Sequence, residues 1–100
     1  MDIATAVGNV KTKLRKLPQA IGAEATRRAA LYTPYVTGKL QNGWGFEFKD
    51  STVTIYNVVE YASHVNYGTP FMEARGMTMR VRLEFQQIVD VAAQQVGIKQ

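Results

Sequence analysis

His64 is the only histidine of the chain, Ser51 and Ser63 are its only serines, and cysteine is absent. Three or four soft or borderline ligands are needed to hold a zinc ion, so one imidazole without thiolates builds no such site. A Ser–His–acid triad would have to use His64 with Ser51 or Ser63. Ser63 is its sequence neighbour, and neither serine sits in the glycine-flanked elbow that exposes a nucleophile. The eight acids are scattered, with no two carboxylates spaced to stand together on one helix face. Gly38, Gly43 and Gly45 precede a strand pattern rather than a helix start, so they do not read as a phosphate cradle. His64 is expected on the surface of a short helix. Neither an enzyme nor a metal or cofactor is expected.

What the sequence does concentrate is positive charge. The 100 residues carry a formal charge of +4. Lys11, Lys13, Arg15, Lys16, Arg27, Arg28 and Lys39 all fall in the first two-fifths, where Asp2 and Glu24 are the only acids. Such a bias suits phosphates or an acidic protein, or it is simply a solvated helix face. No base-reading motif accompanies it, so sequence-specific recognition is not expected. Trp44, Phe46 and Phe48 could stack bases on a sheet surface. Aromatic side chains alternating along a strand more often fill the core beneath a helix.

The elements that must position these residues follow from periodicity. Hydrophobic residues make up 46% of the chain and charged residues 20%, the balance of one globular domain over residues 1 to 100. No apolar run approaches the roughly 20 residues of a membrane span, and the start of the chain lacks a signal-peptide core. The absence of cysteine suits a reducing cytoplasm.

Ile3, Val7, Val10, Leu14, Leu17 and Ile21 recur in steps of four and three, and Ala25, Ala29 and Tyr32 continue the stripe. This spacing predicts a helix over residues 3 to 32, capped by Asp2, kinked near Pro18 and stopped by Pro34. From Trp44 the period becomes two. Trp44, Phe46 and Phe48 share one face, Asp50 and Ser51 form a turn, and Val53 and Ile55 point inward from a second strand over residues 52 to 59. A short helix is expected over residues 60 to 67 and an exposed loop from Gly68 to Gly76. A C-terminal helix carries Met77, Val81, Phe85, Ile88, Ala92 and Val96 to a stop at Gly97. The predicted fold is α+β, a long N-terminal helix packed on a small antiparallel sheet.

Two segments carry a resemblance. The first runs Tyr32-Thr33-Pro34-Tyr35-Val36-Thr37-Gly38-Lys39-Leu40-Gln41-Asn42-Gly43-Trp44, with Pro34, Thr37, Gly38, Leu40 and Trp44 at its signature positions. The second runs Asn57-Val58-Val59-Glu60-Tyr61-Ala62-Ser63-His64-Val65-Asn66-Tyr67-Gly68-Thr69, with Asn57, Tyr61, Ala62, Gly68 and Thr69. In this order and separation they resemble the head–tail joining, or tail-component, family of long-tailed phages, to which the lambda tail-completion protein Z is related. The likeness covers residues 20 to 90.

The resemblance implies a structural virion protein without catalytic residues or cofactor. It would form a homo-oligomeric ring, a hexamer in the family, at the neck or head-proximal end of the tail. Its neighbours would be connector, adaptor and tail-tube proteins. Such a protein assembles in the host cytoplasm and does not engage a membrane. Two positions depart from the pattern: Val36 stands where the family often has an acid, and Asn66 where it often has Glu.

A ring around a DNA channel gives the cations a use, because phosphates attract lysine and arginine without regard to sequence. Some of Lys11, Lys13, Arg15, Lys16, Arg27 and Arg28 are therefore expected at the channel or against an acidic neighbouring ring. Pro70, Phe71 and Met72, in the loop, are expected at a contact between subunits. The competing expectation is a small basic nucleic-acid-binding protein or ribonuclease toxin, which would gather its cations on the sheet face.

Overall fold

The alternation that begins at Trp44 builds a two-stranded hairpin, and its turn fixes the register. A computed structural model describes residues 3–34, 38–68 and 74–97. The chain runs β1 (Ile3–Asn9), α1 (Lys16–Tyr32), α2 (Lys39–Asn42), β2 (Trp44–Lys49), β3 (Thr52–Asn57), α3 (Ala62–Tyr67), α4 (Met77–Leu83) and α5 (Phe85–Gln95). Asp50 and Ser51 adopt φ of 52° and 64°, the pair of positive values that matches a two-residue turn to the twist of the strands. Trp44 pairs with Asn57 at one end of the ladder and Lys49 with Thr52 at the other. The fold is α+β: helices against a three-stranded antiparallel sheet of order β1-β3-β2.

The third strand corrects the helix expected over residues 3 to 32. Residues 3 to 9 form β1, paired antiparallel to β3, and helix begins only at Lys16. Asp2 lies outside the described residues, and no helix starts beside it to be capped. The register between β1 and β3 shifts between Ala6 and Gly8. This bulge places Ile3, Val7 and Val10 all in the interior. Inward positions at 3, 5 and 7 keep a period of two, and the extra residue then displaces the next one to 10. The resulting steps of four and three imitate a helical stripe.

Pro18 does not kink a helix either, because it stands in the first turn of α1. The amides there have no intrahelical acceptor to lose. At the other end Thr33 is extended, with φ −83° and ψ 126°, as the residue before Pro34 should be.

The core joins sheet and helices. Val53 and Ile55 of β3 meet Ile21, Ala25 and Ala29 of α1, with Val81, Ile88 and Ala92 from α4 and α5 completing the cluster. Trp44 and Phe46 are half-buried against it, whereas Phe48, expected in the same row, is exposed. Two glycines allow close approach. A Cβ on Gly22 would lie 2.0 Å from the Phe46 ring, and one on Gly8 would lie 2.3 Å from that of Phe85. A second cluster gathers Ile3, Leu40, Val59, Ala62, Val65 and Met77 around α2 and α3.

The C-terminal stripe is helical as expected, but Glu84, with φ −95° and ψ 9°, divides it into α4 and α5. Gly97 follows with φ 80°. Among the described residues no helix is long and apolar enough to cross a membrane.

Candidate functional surfaces

The two motif segments meet at Asn57. Its side chain is fully buried; Nδ2 donates to the Leu40 carbonyl at 2.9 Å, and Oδ1 accepts from the Val59 amide at 2.9 Å. Asn57 thereby ties the end of β3 to α2. Trp44 Nε1 donates to Thr33 Oγ1 at 2.8 Å, and Thr33 in turn donates to the Ala29 carbonyl at 2.6 Å, closing the end of α1. Leu40 and Ala62 are buried, Tyr61 packs at the edge of the second cluster, and Gly68 leaves α3 with φ 82°. Pro34 is half-buried. Thr37 and Thr69 lie outside the described residues, as do Val36, Pro70, Phe71 and Met72 with the inter-subunit contact expected of the last three.

Asn66, one of the two departures, has a clear intramolecular role. Its buried side chain accepts from the Thr78 amide at 3.0 Å and donates to Thr78 Oγ1 at 2.8 Å. It supplies from α3 the acceptor that α4 needs for an amide in its first turn. The backbone joins in, since Gly76 donates to the Asn66 carbonyl at 3.0 Å.

The six candidate cations divide. Arg27 and Arg28 belong to a network between α1 and the α4–α5 junction. Glu24, buried in α1, accepts from Arg27 Nε at 2.9 Å, Arg27 Nη2 at 2.7 Å and Arg28 Nε at 2.8 Å. Arg28 continues through Nη1 to Glu84 at 2.8 Å and to Gln87 Oε1 at 3.2 Å. Tyr32 donates its hydroxyl to Glu84 at 2.6 Å, and the guanidinium carbon of Arg80 lies 3.7 Å from the centre of the Tyr32 ring. The Arg28 side chain is only 13% exposed. Of the six candidates for the channel or a ring contact, Arg28 has its guanidinium directed inward to carboxylates, and Arg27 is tied to the same Glu24.

Charge states follow from these contacts. The Arg27 hydrogen bonds, opposed by burial and helped by Arg28, hold the Glu24 carboxyl down to about 2. The Tyr32 hydroxyl and then Arg28 lower Glu84 against the opposing effect of burial. The Glu84 carboxylate raises Tyr32 in return. Every group is thus held in its neutral-pH form, which fits a clamp between helices. A proton donor or base would instead need a value near the working pH.

Lys11, Lys13, Arg15 and Lys16 are different. All four are exposed, three along the connection from β1 to α1 and Lys16 at the start of α1, and none forms an ion pair among the described residues. Beside them an open groove of ≈ 740 Å³ separates Leu14 and Pro18 from Phe46 and Phe48. A further apolar surface lies past the β1 edge, where Tyr67, Met79 and Leu83 border one depression with Arg75 and Arg82. His64 is exposed on α3, and among the described residues no three His, Cys, Asp or Glu side chains are placed to hold a metal ion.

The sequence reading missed the clamp although its signal was present. Glu24 stands three and four residues before Arg27 and Arg28, the spacing of ion pairs on one helix face. Compared with family models, curated proteins and solved structures, the chain matches none.

Proposed function

We propose that this chain is a structural subunit of a phage neck, forming a ring at the head-proximal end of the tail around the DNA channel. The observation that carries this reading is the surface past β1. Tyr67 is 61% exposed, Met79 64% and Leu83 80%, and the three lie together at one depression. Large apolar side chains gathered in one place mark a surface that another polypeptide covers. The mutual anchoring of the two motif segments through Asn57 lends support. Asn57 of the second segment and Leu40 of the first are joined directly by a hydrogen bond.

In this reading Lys11, Lys13, Arg15 and Lys16 face the channel or an acidic neighbouring ring. Connector and tail-tube proteins are the layers above and below, and the assembled protein resides in the virion. The exposure of these four cations also suits the second reading, a small basic nucleic-acid-binding protein or ribonuclease toxin, but they lie between β1 and α1 and at the start of α1 and are not gathered on the sheet face.

Mass measurement and negative-stain imaging of the purified protein, alone and with unfinished tails, separate the two. Rings or incorporation into tails are expected, and Leu83→Asp should abolish both while leaving the circular dichroism of the subunit unchanged. A monomer that ignores tails and cleaves RNA would overturn the assignment.

A further inference from the structure

β2 is an edge strand, and its unpaired side can be read from the ladder. The Val58 amide donates to the Gly43 carbonyl at 3.1 Å, so the hairpin has a hydrogen-bonded pair just before its first β2 residue. Bonded and non-bonded pairs alternate in an antiparallel ladder. Gly45, Glu47 and Lys49 therefore bond to β3, while the backbone N–H and C=O groups of Trp44, Phe46 and Phe48 point away from it. An outward row of this kind is a template for one more strand.

The groove lies along that row. Leu14 is 52% exposed and Phe48 40%, and with Pro18 and Phe46 they line the groove into which alternate side chains of an added strand would project. Lys13 and Arg15 line the same groove, Lys11 and Lys16 adjoin them in sequence, and among the described residues Glu47 is its only acidic lining residue. We propose that the β2 edge and this groove bind an extended segment of another protein, with alternating apolar residues and acidic residues at or beside them. The segment would join the sheet as a fourth strand.

Charge decides against a second copy as the occupant. Placed edge to edge, another β2 would bring its own Lys13 and Arg15, and the surface past β1 would bring Arg75 and Arg82. Either arrangement opposes like charges. Nucleic acid would satisfy the cations but neither the apolar wall nor the outward amides, which main-chain pairing with alternate side-chain pockets uses together. The inference does not depend on the neck reading, since it rests on the ladder and the groove alone.

The test is fluorescence anisotropy on the full chain with a labelled peptide of about ten residues alternating valine with glutamate. Three comparison probes are the same peptide N-methylated at alternate residues, its lysine counterpart, and single-stranded DNA of equal length. The acidic peptide should bind and should perturb the amide resonances of Phe46 and Phe48. N-methylation, which removes strand pairing but keeps charge, should weaken it roughly tenfold, as should Lys13→Glu combined with Arg15→Glu. Absence of peptide binding, equal binding of the N-methylated or lysine peptide, or DNA displacing the peptide from those amides would each overturn the proposal. Failure of ring assembly would leave this result untouched, so the two readings fail separately.

Discussion

The middle of α1 and the connection that leads into it carry the same kind of residue to opposite ends. Arg27 and Arg28 fold back on Glu24 and reach Glu84. Lys11, Lys13, Arg15 and Lys16 project into solvent. Both regions cluster positive charge, four cations within residues 11 to 16 and an adjacent pair at 27 and 28, so clustering alone does not decide the outcome. The decisive difference is an acid at helical spacing. Glu24 lies on the face that Arg27 and Arg28 share, and Glu84 is delivered to it by the break between α4 and α5. The connection has neither a regular helix to set a spacing nor an acid nearby in sequence. A basic cluster is thus available to a partner only where the fold has not already supplied its counter-ions.

Removing the counter-ion is the strongest way to break this contrast. Glu24→Ala leaves the partly buried Arg28 with Glu84 and Gln87, and Arg27 without a partner among the described residues; removing one side of a buried pair is severe. The expected loss is about 3 kcal/mol of unfolding free energy, read from urea denaturation. A loss below about 0.5 kcal/mol would place the network among surface pairs and erase the distinction.

Acid should reach the same clamp more gradually. The Glu24 carboxyl is held down to about 2 in the folded chain, below its ordinary 4.5. Its contribution is therefore complete above the unfolded value and is lost as pH falls from about 4.5 towards 2. Near pH 3 the loss should be about 2 kcal/mol from this group, with Glu84 adding in the same direction. Glu24→Ala should flatten the curve between pH 5 and pH 3; an unchanged slope would assign the acid sensitivity elsewhere.

How much of this was legible depended on whether a local pattern had one meaning. Val53 and Ile55 could be placed inward because alternation bounded by Asp50 and Ser51 reads only as a hairpin. The α+β class and the C-terminal helical stripe were accessible in the same way. β1 was not, because its bulge gives Ile3, Val7 and Val10 a spacing that also fits a helix. Only the pairing with β3, a contact across about 50 residues of sequence, resolves it. Pro18 was the local warning, since a proline so well tolerated belongs at a helix start. At the surfaces, exposure of Lys13 and Arg15 could be anticipated from composition. The groove between Leu14 and Phe48 could not, because it exists only once β1 has carried the chain across the end of the sheet to α1.

The smallest effect concerns that connection and sharpens the contrast from its other side. Lys13 and Arg15 are exposed and without an ion pair among the described residues, so their charges hold nothing together within the subunit. Lys13→Glu combined with Arg15→Glu should shift unfolding free energy by less than about 0.5 kcal/mol, the usual range for surface positions. A small gain is the expected sign, because the double change lowers a net charge of +4 towards neutrality and relieves repulsion among neighbouring cations. A destabilisation comparable to that of Glu24→Ala would mean that these residues pack or pair within the fold. The groove beside them would then be a structural seam rather than a place for a partner.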